Sequence, residues 1–122
     1  MVEALYLAST WRFVFDVTGP PGSGERVVAT RFYLLSEEGR FHRGWGLPSV
    51  PDGRIAAFDF TAAESEDAYN TGTYTLSGDG IVFHPMAGEE GEGLLTAEGL
   101  LVEQLPFTLA SGATQEGGPA AR

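Results

Sequence analysis

The chain contains no cysteine and no lysine, only two histidines, and no apolar run approaching the ~18 residues that a membrane-spanning helix requires. Without cysteine there is no disulfide framework, no thiolate nucleophile, and no Cys-ligated zinc or iron–sulfur cluster. Without lysine there is no Schiff-base chemistry, no pyridoxal anchor and no lysine-type phosphate loop. Positive charge is scarce as well: seven arginines face seventeen acids, for a formal charge of -10. Such a balance repels phosphate backbones and anionic lipid surfaces, so neither nucleic acid nor a membrane is the expected partner. The opening MVEALYLAST has neither a basic n-region nor a long apolar h-region, which sets the expectation of a cytoplasmic protein with no secretory signal.

What is present is a chain of 122 residues, 43% hydrophobic, with seventeen glycines and seven prolines. That length and apolar content suit one domain with a single core. The charge is uneven. Residues 1–58 carry six arginines (Arg12, Arg26, Arg31, Arg40, Arg43, Arg54) and six acids, whereas residues 59–122 carry eleven acids and only Arg122. This is either a solvated acidic face or a molecule with two electrically different sides, able to meet a complementary surface.

Periodicity reads as strand nearly throughout. Trp11, Phe13, Phe15 and Val17 alternate with Arg12, Val14 and Asp16, a period of two. Residues 27–35 (VVATRFYLL) are apolar on both faces and predict a well-buried strand. Turn signals at Ser36–Gly39, Pro51–Gly53, Ser77–Gly80 and Thr96–Gly99 join sequential antiparallel strands, the closing glycines supplying positive φ. Strands are predicted near 11–17, 27–35, 40–46, 54–60, 71–77, 80–84, 93–97 and 99–109, the last interrupted at Pro106. A short helix is predicted over 61–69, where Thr61 and Glu64 stand in a capping-box spacing, and a helical turn over 3–9. The sum is an all-β domain over 1–110, an antiparallel up-and-down barrel of about eight to nine strands with one or two short helical turns, followed by a flexible tail over 111–122.

Residues 19–26 (GPPGSGER) match the glycine frame of a Walker A loop, but Glu25 and Arg26 stand where lysine and a hydroxyl are required. A carboxylate aimed at phosphates is repulsive, and the segment is predicted to be a hairpin loop. His84 offers a lone imidazole for haem iron against a plain strand-end role. Glu89, Glu90 and Glu92 lie between glycines that preorganise no metal site. No catalytic, metal or cofactor set is predicted.

The aromatic residues carry the strongest signal. Trp11, Phe13, Phe32, Phe41, Trp45, Phe58, Tyr74 and Phe83 fall on predicted strands, and together with His42 and Arg43 they are the candidate ligand-binding residues. An eight-stranded barrel either fills with its own side chains or holds one small ligand. The sequence leaves both open, along with which face of 40–46 looks inward.

The run from Tyr69 through Gly72-Thr-Tyr74-Thr and Gly78-Asp79 to His84-Pro85 resembles the central hairpin of bacterial lipocalin-like domains, small calycin-type barrels. Ser9-Thr10-Trp11-Arg12-Phe13 resembles the lipocalin Gly-x-Trp opening, with Ser9 in place of glycine. The resemblance implies an antiparallel barrel that binds a small hydrophobic molecule. Three functions follow as expectations. The first is non-catalytic binding of a small hydrophobic or amphipathic ligand in the lumen. The second is a filled barrel acting through a homodimer or a protein partner. The third is an isomerase or cyclase in which His42 or Asp59 moves a proton.

Overall fold

The computed structural model describes residues 3–50 and 54–112. Eight strands close in sequence order into an antiparallel barrel, each paired with its chain neighbour and the last with the first. They are β1 (Ala4–Phe15), β2 (Gly24–Leu35), β3 (Arg40–Trp45), β4 (Thr71–Ser77), β5 (Gly80–Pro85), β6 (Gly91–Leu95), β7 (Gly99–Val102) and β8 (Leu105–Gly112). One excursion interrupts the meander, between β3 and β4. It holds a 3-10 turn at Ile55–Ala57, the helix α1 (Phe60–Glu66) and a second 3-10 turn at Ala68–Asn70. The architecture is compatible with a lipocalin-like barrel.

Three predicted elements are revised. Residues 4–9 form the first half of β1, not a helical turn, because they pair with β2 on one side and β8 on the other. Residues 54–60 are not a strand: Ile55 and Phe60 are buried from a 3-10 turn and a helix start. The helix is capped by Asp59, whose Oδ1 accepts from the Ala62 amide at 2.9 Å, rather than by Thr61. β8 reaches Gly112, two residues beyond the predicted barrel boundary. The rest of the predicted tail, and the Pro51–Gly53 turn, lie outside the described residues.

The glycine turns follow expectation at Gly39, but in the 77–80 turn the positive φ falls at Gly78 and not at the closing Gly80. Gly39 takes φ 90° and Gly78 φ 60°, both in the left-handed region where a Cβ is penalised. The break predicted at Pro106 falls instead at Glu103 and Gln104, which link β7 to β8 with φ of 53° and 69°. Neither is a glycine, so this two-residue turn holds strain of roughly 1 kcal/mol per residue.

The apolar residues divide into two cores separated by the barrel wall. Inside, Ala4, Tyr6, Ala8, Tyr33, Leu35, Phe41, Tyr74, Ile81, Phe83, Leu100, Val102 and Phe107 form one buried cluster. Small residues on β1 leave room for rings on the strands opposite. Phe83 lies at the centre, its ring 4.7 Å from that of Tyr33 and 5.0 Å from that of Phe41, while Phe107 meets Tyr33 edge-on at 5.1 Å. Tyr74 crosses the interior and donates its hydroxyl proton to the Ser36 carbonyl at 2.6 Å, tying β4 to the β2–β3 turn. Outside, Phe32, Leu34, Ile55 and Phe60 form the second core, with Leu5, Leu7, Val50 and Phe58 against it. The two-sided hydrophobicity predicted for 27–35 holds over 32–35, where alternate residues of β2 face the two cores, whereas Val28, 64% exposed, lies outside both.

Candidate functional site

The predicted ligand-binding residues separate into four places. Phe41, Tyr74 and Phe83 belong to the inner core, with 1% or less of each exposed. Phe32 and Phe58 lie in or against the outer core, beside His42. Arg43 and Trp45 stand at the end of β3, on the inward-facing register of Phe41. Trp11 and Phe13 project from the barrel altogether. Of the ten, only His42 and Phe58 line a described cavity, and both of the clefts they touch are shared with the segment between β3 and β4.

At the Trp45 end of the barrel, guanidinium groups gather round aromatic faces. Arg12 lies 4.9 Å and Arg31 5.5 Å from the Trp45 ring centre. Arg43 sits 5.5 Å from the Phe41 ring and donates to the Asn70 side chain at 3.2 Å and to the Tyr69 carbonyl at 2.9 Å. These contacts hold the arginine stems over apolar surface while the charged heads stay in reach of water. Arg40, at the other end, pairs with Glu64 at 2.9 Å and fastens α1 to the barrel.

The largest described cleft, about 560 Å³, lies between the excursion and the barrel wall. Phe58, Ala57, Ala62 and Ala63 supply its apolar surface, and His42, Ser49, Asp59, Glu66 and Asp67 its polar groups. His42 is fixed there: its Nδ1 lies 2.8 Å from the hydroxyl of fully buried Thr71, and its ring stacks on Phe58 with centres 5.2 Å apart. Burial holds the imidazole below its ordinary pKa, and the Asp67 charge opposes that shift. A depressed folded-state value means that the unfolded chain binds the proton first as pH falls. Stability is therefore full above the unfolded value of about 6.5 and declines as the pH drops through the lower folded one. Urea melts at stepped pH values below neutrality are expected to show this decline. His42→Gln should flatten it, and equal slopes in both proteins would remove His42 from the effect.

The other histidine is fully engaged. His84 Nδ1 meets Glu90 at 2.6 Å and Nε2 meets the Thr75 hydroxyl at 3.1 Å, so neither ring nitrogen is left free to ligate iron. Asp59 spends Oδ1 on its helix cap. Among the described residues no group of three or more His, Asp or Glu side chains is arranged to hold a metal ion.

The most conspicuous surface is one that sequence reasoning placed inside. β1 pairs with β8 only as far as Leu7, and β2 pairs with β3 only from Arg31 onward. Ala8 still packs in the inner core and the Thr30 carbonyl still accepts from the Gly46 amide, so residues 10–15 and 24–29 leave the barrel as a two-stranded arm, roughly 20 Å long at 3.3 Å per residue. Its tip, residues 16–23, contains Gly19–Ser23 and is closed by the Asp16 amide donating to the Ser23 carbonyl at 2.8 Å. Trp11, Phe13 and Phe15 share the outer face, 58%, 42% and 67% exposed, with Val28 paired across from Trp11. Phe13 and Phe15 pack edge-on at 4.8 Å, and Arg26 covers part of Trp11 at 5.2 Å. The period-two pattern of 11–17 predicts the strand and the shared face of Trp11, Phe13 and Phe15, but β1 ends at Phe15 and Val17 lies in the turn. Odd-numbered residues of β1 face outward from Leu5 on, and those of the arm stay bare because they lie beyond the outer core that covers Leu5 and Leu7, which no local pattern encodes.

The sequence matches no protein-family profile, no curated protein and no solved structure.

Proposed function

We propose that this chain is a non-catalytic interaction module: a lipocalin-like barrel filled by its own side chains, which binds another polypeptide through the β1–β2 arm. The observation that carries the reading is the contrast between an interior closed by packed rings and three large aromatics held outside it on one strand face. A soluble monomer rarely exposes a contiguous apolar patch of that kind without a use for it. The unpaired edges of the arm add backbone donors and acceptors suited to strand addition. A cytoplasmic setting belongs to the same proposal, in keeping with the acidic, cysteine-free sequence.

Replacing Trp11, Phe13 and Phe15 together by threonine, a strong strand former, separates use from structure. The barrel's melting temperature is expected to move by only a few degrees, because these side chains pack on one another and not on either core. A collapse of folding in the triple variant would make the arm a structural element and defeat the reading.

A second reading rests on the cleft. Phe58 and the alanines offer an apolar bed, and the carboxylates of Asp59, Glu66 and Asp67 ring it with acceptors. A small amphipathic molecule with a hydrogen-bond donor or positive charge at one end would suit that lining, in place of the lumen site expected from sequence. Nuclear magnetic resonance shifts of the His42 ring during titration with aromatic amines would report it, and an unmoved ring would exclude it.

A further inference from the structure

The arm's exposed edge has a definite hydrogen-bonding pattern. In an antiparallel ladder alternate residues direct both backbone groups to the same neighbour. The Asp16 amide bonds to Ser23 across the arm, so even-numbered residues of β1 serve β2, and Trp11, Phe13 and Phe15 direct their N–H and C=O groups to the open side. On that side β8 pairs with β1 no further than Leu7. Three successive donor–acceptor sets thus face away from the barrel, those of the three aromatics themselves.

We infer that the occupant of this edge is a second copy of the chain, its β1 running antiparallel to the first about a twofold axis at Phe13. This inference rests on the interaction reading above and adds the partner and the register. The argument is self-complementarity. A symmetric antiparallel pair sets a strand against its own reverse, and the backbone pattern admits only registers that oppose odd-numbered residues to odd-numbered ones. An axis at Arg12 would place two guanidiniums directly opposite each other, which is repulsive. An axis at Val14 would leave only residues 13–15 of each strand overlapping, since β1 ends at Phe15. The axis at Phe13 overlaps residues 11–15, sets Phe13 against Phe13 of the partner subunit and Trp11 against Phe15 of the partner subunit on the outer face, and opposes no like charges. Arg12 then meets an aliphatic side chain while keeping Trp45 beneath it. Three aromatic cross-strand pairs form on one face of a four-stranded sheet, and the unpaired edge of β1 disappears.

The absence of cysteine makes the test clean. Phe13→Cys places one thiol on the twofold axis, where opposed Cα atoms lie about 5.5 Å apart, within disulfide reach. Val28→Cys, one strand further out on each side, leaves the thiols three strand spacings apart across the sheet and four residues apart along it, roughly 19 Å, and out of reach. The expected results are a native chain that sediments as a dimer at tens of micromolar, an oxidised Phe13→Cys protein that runs as a covalent dimer, and a Val28→Cys protein that does not. A native chain that stays monomeric at all concentrations overturns the inference, as does crosslinking through Val28→Cys alone. Iodide quenching of Trp11 in a Trp45→Phe background tells the two failures apart. A monomer with Trp11 open to iodide retains the arm as an interaction surface for some other chain, and a monomer with Trp11 shielded removes the interaction reading too.

Discussion

Phe83→Ala is expected to remove about 3–5 kcal/mol of stability, the cost of deleting a ring whose neighbours cannot collapse into the space. Phe83 is fully buried and touches the rings of Tyr33 and Phe41 from opposite strands of the barrel. Those rings are anchored by their own strands, so the void persists. Against a total stability of about 5–15 kcal/mol for a domain of this kind, such a loss leaves the protein marginal at best. Chemical denaturation measures it directly. A loss below about 1 kcal/mol would mean that the ring borders open space, and with it that the barrel is hollow.

Leu34→Ala is expected to cost about 2–5 kcal/mol although Leu34 points away from the lumen. It is fully buried between the barrel wall and the excursion, among Phe32, Ile55 and Phe60. Its loss loosens the cover that holds Phe58 against His42, so the variant should also release the imidazole from burial and bring its pKa back towards the ordinary value. Denaturation gives the energy and a histidine titration gives the second readout. A surface-like effect of a few tenths of a kcal/mol would show that the excursion is not packed on β2 as described.

The β4–β5 hairpin was legible in the sequence almost to the residue, because its strands alternate regularly and Gly78-Asp79 can only be a turn. The two-sided apolar character of 27–35 marks coverage on both faces, which the barrel gives to 32–35 and withholds from Val28 on the arm. Reading failed where a distant partner decides the outcome. Ala4–Ser9 carries good helix formers, and pairing with β2 and β8 overrides that preference. Ile55, Phe58 and Phe60 look like strand residues, yet they are apolar because they cap the outside of a barrel whose wall lies far away in sequence. The candidate site suffered most. The ten residues that share the chemistry of a ligand site do not share one place: the barrel wall distributes them inside, outside, at one mouth and along the arm. Strand alternation shows which residues share a face, but not which side of a closed sheet that face occupies, nor where a strand outruns its partner.

Backbone hydrogen exchange, followed residue by residue at low and high protein concentration, tests the central claim most directly. The account predicts that amides of the filled barrel, such as those of Tyr33, Phe41 and Phe83, are protected at every concentration. In the arm, Arg12 and Val14, bonded to β2, should change little, while Trp11, Phe13 and Phe15 should exchange freely when dilute and become protected when concentrated. Odd-numbered amides that exchange at one rate regardless of concentration would contradict it, as would fast exchange through the barrel core.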